Sequence, residues 1–434
     1  MPARSQPKLD STRAWVVAGA SLLLVCFGMG GMMSLSVGLK DMTATFDWPR
    51  SVPSLAYGFF MLGVGAAGIV MGRWMDASGI GKPLTVSALI IPSAAIAAAH
   101  VTTPLALYIV FGVMFGFLGT GILFVCLLTH ATRWFDRRRG LAVAIVASGQ
   151  SVGGALWPRL IEYGNAEIGW QNTFTIFGLL SFVAMLPLVF VVRGPTPLAA
   201  PAAASFRAWG SGGAGLRDNL PQILLCAAIL CCCTAMAMPL VHMVAHVSDV
   251  GYTLRQGAEV LSSILIFSFV GRLGMGWLAD RIGALRSMLL GSTLQAAGLA
   301  VFIVTDDISG SYLGGAIFGV GFGGLVPMYA VAIRDIYPVT QAGWRFGTIF
   351  MFGALGMALG GHAAGVIFDV VGRYQPAFAL GLLFNLFNLA LLGTTFLMTR
   401  TPRLPVGPSR RQSGRADRGA KPFPVPSEAA RRQN

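Results

Sequence analysis

Uncharged apolar stretches close to 20 residues long recur twelve times along this 434-residue chain, and no other feature restricts its fold as much. A helix rises about 1.5 Å per residue, so about 20 residues match a bilayer core about 30 Å thick. The stretches are apolar all round, with no polar stripe to face water. A soluble chain of ordinary composition carries roughly 25% charged residues, whereas this one carries 11% and is 55% hydrophobic. The expected fold is an all-α membrane protein with spans near residues 15–39, 52–72, 84–103, 105–130, 140–161, 172–192, 221–246, 257–279, 285–305, 311–333, 344–368 and 377–399.

The net charge of +14 raises the question of a nucleic-acid partner, which the placement of the cations answers. With twelve spans, one set of connections holds Arg4, Lys8, Arg13, Arg73, Lys82, Arg133, Arg137, Arg138, Arg139, Arg193, Arg207, Arg217, Arg281, Arg286, Arg334, Arg345 and the basic residues from Arg400 onward. The opposite set holds only Lys40, Arg50, Arg159, Arg255 and Arg373. Cytoplasmic loops retain Lys and Arg. The basic set and both termini are therefore expected in the cytoplasm, with the protein in the cell inner (plasma) membrane, in contact with lipid and without a nucleic-acid partner. The N-terminus has no signal-peptide pattern, so the first span is expected to stay. Cys26 and Cys126 stand alone, and Cys226, Cys231, Cys232 and Cys233 lack ligating neighbours; all six read as packing residues, with no metal site.

Residues 1–14 read as a cytoplasmic segment, 15–193 as one six-helix bundle, 194–220 as a flexible linker rich in Pro, Ala and Gly, 221–399 as a second bundle, and 400–434 as a disordered basic tail. The halves repeat each other. Gly72, Asp76 and Gly79 in "GRWMDASGIGK" recur at one constant offset as Gly276, Asp280 and Gly283 in "GWLADRIGALR". "WFDRRRGLA" precedes the fifth span as "IYPVTQAGWRFG" precedes the eleventh, and "GWQNTF" opens the sixth as "GRYQPAF" opens the twelfth. Two such halves are the build of a secondary transporter that binds near the midplane and rocks about it.

With these features the chain resembles the major facilitator superfamily over residues 15–399. That family's loop motif is matched by Gly72, Asp76, Gly79 and Lys82, with Ala77 in place of an arginine, and more fully by Gly276, Asp280, Arg281, Gly283 and Arg286. The resemblance implies a latch on the cytoplasmic side. Small residues let helices approach, and the carboxylate meets helix N-termini and loop arginines in one state only; Arg137 in the run Arg137 to Arg139 is the expected partner of Asp76. Within the superfamily, "TRWFDRRRGLAVAIVASG", "PLVHMVAHVSDVG" and "VGRLGMGWLADRIG" look like the monocarboxylate and oxalate/formate branch. That branch carries a substrate-pairing arginine four residues before the motif glycine of span eight, the place of Arg272. Drug-antiporter signatures are missing: "GVMFG" replaces Arg-x-x-x-Gly in span four, and the span-five proline is displaced to Pro158. The family's second cation is absent or replaced by His362, so a monoanion is the expected cargo.

Arg272 lies eight residues above Asp280, roughly 12 Å into the core. An arginine at that depth costs about 2.5 to 3.5 kcal/mol on insertion scales unless it faces a polar cavity or a partner. No Asp or Glu lies in the interior of any span, so the partner is either the substrate or backbone carbonyls. A guanidinium fork suits a carboxylate. The equivalent place in the first half is Gly68, so the charge has no twin. His362 is a candidate second, switchable charge; His242 and His246 read as structural residues at the outer mouth. Tyr329 follows Pro327, which frees carbonyls by breaking the helical ladder, and Tyr57 and Trp157 are further pocket candidates. The expected activity is transport of a small organic anion by one protein chain acting as a monomer, by proton symport or anion exchange. Rivals are an exporter of amphipathic compounds and a non-transporting sensor on the same scaffold. No catalytic triad, metal cluster or phosphate loop appears, so neither enzymatic activity nor a cofactor is expected.

Overall fold

A bilayer offers backbone groups no water, so each span must satisfy its own N–H and C=O groups, and helices do so. The computed structural model describes residues 8–48, 51–194, 196–197 and 216–400. Among them are twelve helices long and apolar enough to cross a membrane: Thr12–Leu35, Leu55–Ser78, Gly81–Ala99, Pro104–Trp134, Arg139–Ile168, Trp170–Val192, Asn219–Asp249, Gln256–Ile282, Ala284–Val304, Ile308–Ile336, Val339–Val371 and Gln375–Thr399. They are numbered as spans one to twelve below. The expected tail and most of the expected linker lie outside the described residues; the helix of span seven starts at Leu216.

Local chemistry sets the ends. Ser11, Thr103 and Asp307 each accept a backbone N–H at a helix start, and Thr253 with Gln256 forms a capping box. Gly79 and Gly283 take positive φ of 77° and 90°, which an L side chain resists, and let the chain turn at once from span two into three and from eight into nine. Span three therefore begins a few residues earlier than its hydropathy suggests. It also ends earlier, because Thr103 and Pro104 start the next helix.

Three spans are discontinuous, and these breaks shape the interior. Span four winds as a π-helix over Val110–Thr120, where the Gly121 N–H reaches back to Gly116 O. Span five breaks at Ser148, between Arg139–Ala147 and Gly149–Ile168. Span ten breaks at Gly324, between Ile308–Gly323 and Leu325–Ile336. Pro327 supplies no N–H to Gly323 O, four residues earlier, so that carbonyl is left free of the ladder.

The two halves meet through stripes of small residues. Gly65 of span two packs on Met351 and Ala354 of span eleven, Gly68 on Gly347, and Gly72 on Gly343. The twin contact sets Gly276 of span eight against Gly140 and Ala144 of span five. Both contacts begin at the face that carries Asp76, Arg133, Asp280 and Arg281, called the basic face below, and stop partway. Gly58, two turns beyond Gly65, and Gly154, two turns beyond Ala147, continue the stripes. No neighbour stands within 4 Å of where a side chain would start at either one. The halves are thus closed at the basic face and parted at the opposite face. Gly347→Val would drive a branched side chain into the Gly68 backbone. The expected result is a loss of about 1 to 3 kcal/mol in stability of this closed state and a fall in transport, read by thermal unfolding in detergent and by uptake into proteoliposomes.

Candidate functional site

Arg272 is only 9% exposed. Its Nε donates to Gly323 O at 2.9 Å and its Nη1 to Ala147 O at 2.6 Å. Both acceptors are the last residues of helix segments ended by the breaks in spans ten and five. Carbonyls at a helix C-terminus carry the negative end of the helix dipole and suit a cation. One acceptor belongs to each half, so the guanidinium bridges the halves where their contact ends. Its Nη2 has no partner among the described residues. The three ion pairs found there all lie elsewhere, so no carboxylate offsets this charge.

A cavity lies within the first half, beside the stretch of span five that follows Ala147. It has a volume of about 10 Å³ and is lined by Val25 and Met29 of span one, Thr120, Leu123 and Phe124 of span four, and Gln150 of span five. Phe124 meets Phe350 of span eleven with ring centroids 4.9 Å apart, so an aromatic pair joins the halves close to the same level. Gln150 was not among the candidates read from the sequence. An uncharged amide in mid-span is a weak signal beside an arginine, and "SGQSVGGALWP" was read for its proline.

Among the described residues no hydrogen bond or ring contact joins the other candidates to Arg272. Tyr329 is fully buried and its hydroxyl has no hydrogen-bond partner among the described residues. Trp157 spends its only donor on Cys26 O at 2.8 Å and packs on Phe27 and Phe177. Tyr57 is 38% exposed, in the part of span two that has left span eleven. His362 is exposed. It stands two residues from Gly360, which packs on Thr234 of span seven, and so projects from the opposite side of span eleven. His242 donates to Gly361 O at 2.9 Å, and His242 and His246 both pack on Tyr374.

At the basic face the repeated aspartates make twin contacts across the halves. Asp76 accepts from the Gly343 and Trp344 N–H groups at the start of span eleven, at 3.3 and 3.1 Å. Asp280 accepts from Gly140 and Leu141 at the start of span five, at 2.5 and 3.0 Å. Each carboxylate thereby caps a helix N-terminus of the other half. The cation at Asp76 is Arg133, whose Nη2 lies 2.6 Å from Asp76 Oδ1 with both side chains buried. Arg137 is not that partner. Arg133 sits on the last helical turn of span four, whereas Arg137 follows the extended Phe135 and gives its backbone N–H to Asp10. Arg139 adds a further bridge to Asp335 of span ten at 2.6 Å. Among the remaining motif positions, Arg281 stacks on Trp277, Arg286 on Phe396, and Lys82 is exposed. No group of His, Cys, Asp and Glu that could hold a metal ion occurs among the described residues.

Twelve spans in two repeated halves, latched at one face and open at the other around a midplane site, define a secondary transporter. The family model of the Major Facilitator Superfamily matches residues 20–258 and again 223–433, and the chain belongs to that superfamily. It is a transporter and not an enzyme. Monocarboxylate transporter 13 of Bos taurus is 26% identical over 407 residues, 91% of this chain and 92% of that protein. The uncharacterized MFS-type transporter YcxA of Bacillus subtilis is 26% identical over 360 residues, 80% of this chain and 86% of that one. Among solved structures, the transporter FucP of the same superfamily in its outward conformation aligns with a TM-score of 0.67 at 14% identity, covering 87% of this chain and 98% of that one. A bacterial homologue of the iron transporter ferroportin in its outward-facing state gives 0.71 at 13% identity, covering 88% and 99%.

Proposed function

We propose that the protein carries a small organic anion, a monocarboxylate, across the inner membrane by alternating access around Arg272. The observation that carries this reading is a buried guanidinium held between two freed carbonyls where the halves part, with no acidic partner and no partner for Nη2 among the described residues. A carboxylate reaching it from the open face supplies the missing counter-charge and takes two charge-assisted hydrogen bonds. The basic face is the cytoplasmic one by its Lys and Arg content. The state described is then outward-open, and Asp76, Asp280, Arg133 and Arg139 form the cytoplasmic gate. The likeness to monocarboxylate transporter 13 supports the substrate class.

Among the described residues no acidic side chain pairs with Arg272, and His362 is exposed on the side of span eleven opposite span seven. Coupling to protons therefore runs through His362 or the substrate's own carboxyl group, or is replaced by anion exchange. Uptake of labelled short monocarboxylates into proteoliposomes tests this. Stimulation by an inward proton gradient in liposomes without internal carboxylate supports symport, and stimulation only by preloaded carboxylate supports exchange. A second reading is favoured by one observation: both hydrogen bonds of Arg272 go to backbone carbonyls. In that reading the arginine only braces spans five, eight and ten, and the cargo is an amphipathic compound held by Phe124, Phe350 and Met29. Transport of such compounds with no competition from small carboxylates would support it.

A further inference from the structure

Gln150 is a half-buried amide that lines the small cavity and has no hydrogen-bond partner among the described residues, which leaves two donors and two acceptor lone pairs unused. The other walls are apolar except for Thr120, whose hydroxyl is committed to Gly28 O at 3.0 Å. Thr120 is the last residue of the π-helix, a winding that often marks functional sites and that widens span four at this level. The cavity of about 10 Å³ has room for an oxygen-sized group. Gln150 lies one helical turn beyond Ala147, the residue whose carbonyl Arg272 holds. Residues so spaced share a face of the helix, so Ala147 and Gln150 lie on one side of span five.

We infer that Gln150 is a specificity-determining residue: while Arg272 takes the carboxylate, the Gln150 nook takes a single hydrogen-bonding, oxygen-sized group carried near it on the same anion. The inference rests on the proposed role of Arg272 and adds a second point of recognition, contributed by the other half. Closing the halves around a substrate held at both points ties binding to the rocking motion.

The test compares uptake of propanoate, 2-hydroxypropanoate and 3-hydroxypropanoate into proteoliposomes by the wild type and by Gln150→Leu and Gln150→Met, two apolar replacements of similar size. Reading the ratio between acids in one preparation cancels differences in folded amount. The wild type is expected to prefer one of the hydroxylated acids over propanoate by about tenfold, the effect of one additional hydrogen bond. In both variants the preference should fall within about twofold, whatever the absolute rate of propanoate uptake. No preference in the wild type, or an unchanged preference in the variants, overturns the role of Gln150 provided that uptake of all three acids still depends on Arg272. Uptake that is independent of Arg272, or no uptake of any of the three, instead overturns the reading on which the inference rests.

Discussion

Arg272→Ala is expected to lower uptake of a short monocarboxylate by at least about 100-fold. A hydrogen bond to a charged group contributes roughly 1.5 to 3 kcal/mol. Two of them, lost together, exceed about 3 kcal/mol, and each 1.4 kcal/mol is tenfold. Arg272→Lys keeps the charge and loses the planar fork. It should therefore fall between the wild type and Arg272→Ala, with its loss mainly in apparent affinity. Stability separates this role from bracing. If the arginine only ties Ala147 O to Gly323 O, its removal should lower the melting temperature and affect every cargo equally. If it binds the anion, removing a buried uncompensated cation leaves stability near that of the wild type while carboxylate transport is lost. Initial uptake rates, normalised to reconstituted protein and paired with thermal unfolding, decide between them.

The second large effect concerns the gate, where the twin aspartates should prove unequal. Asp76→Asn leaves Arg133 buried without a counter-charge, and breaking a buried pair in this way costs roughly 3 to 5 kcal/mol. The cost falls on the closed basic face, so the equilibrium shifts towards its opening by about 100-fold or more. Asp280→Asn removes no ion pair of this kind, since among the described residues Asp280 accepts only from the Gly140 and Leu141 N–H groups, and an amide oxygen still accepts from them. Its shift should stay below about tenfold, the scale of a helix-dipole term. A cysteine placed at Ala144, fully buried where span five meets Gly276, reports the opening through its rate of thiol labelling from the basic face. Equal acceleration by the two substitutions would contradict the asymmetry.

Hydropathy and the repeat made the twelve spans and the two halves readable, because a bilayer imposes length and apolarity on each helix separately. The aspartates and glycines of the gate were readable for a related reason. They occur twice, and a twinned pattern is hard to obtain from ordinary helix ends. Partners across the interface were less accessible. Nothing in a run of cations says that Arg133, rather than Arg137, points at Asp76, because that depends on where span four ends and Phe135 becomes extended. Pro327 announced a freed carbonyl, and Gly323 O is the one it frees; that Arg272 takes it follows only from the packing of span eight on span ten. The break at Ser148 and the π-helix of span four have no comparable marker, so the carbonyl of Ala147 and the nook beside Gln150 came from the structure alone.

The central claim is that a negative charge on the cargo is recognised at Arg272. The most direct test is competition for wild-type uptake of a labelled short monocarboxylate by unlabelled carboxylates and by their matching amides, which have nearly the same shape and no charge. Recognition by the guanidinium predicts that carboxylates compete with saturation while the amides compete at least about 100-fold more weakly, and that this gap disappears in Arg272→Ala. Equal competition by acid and amide, or a gap that survives the loss of Arg272, would contradict it.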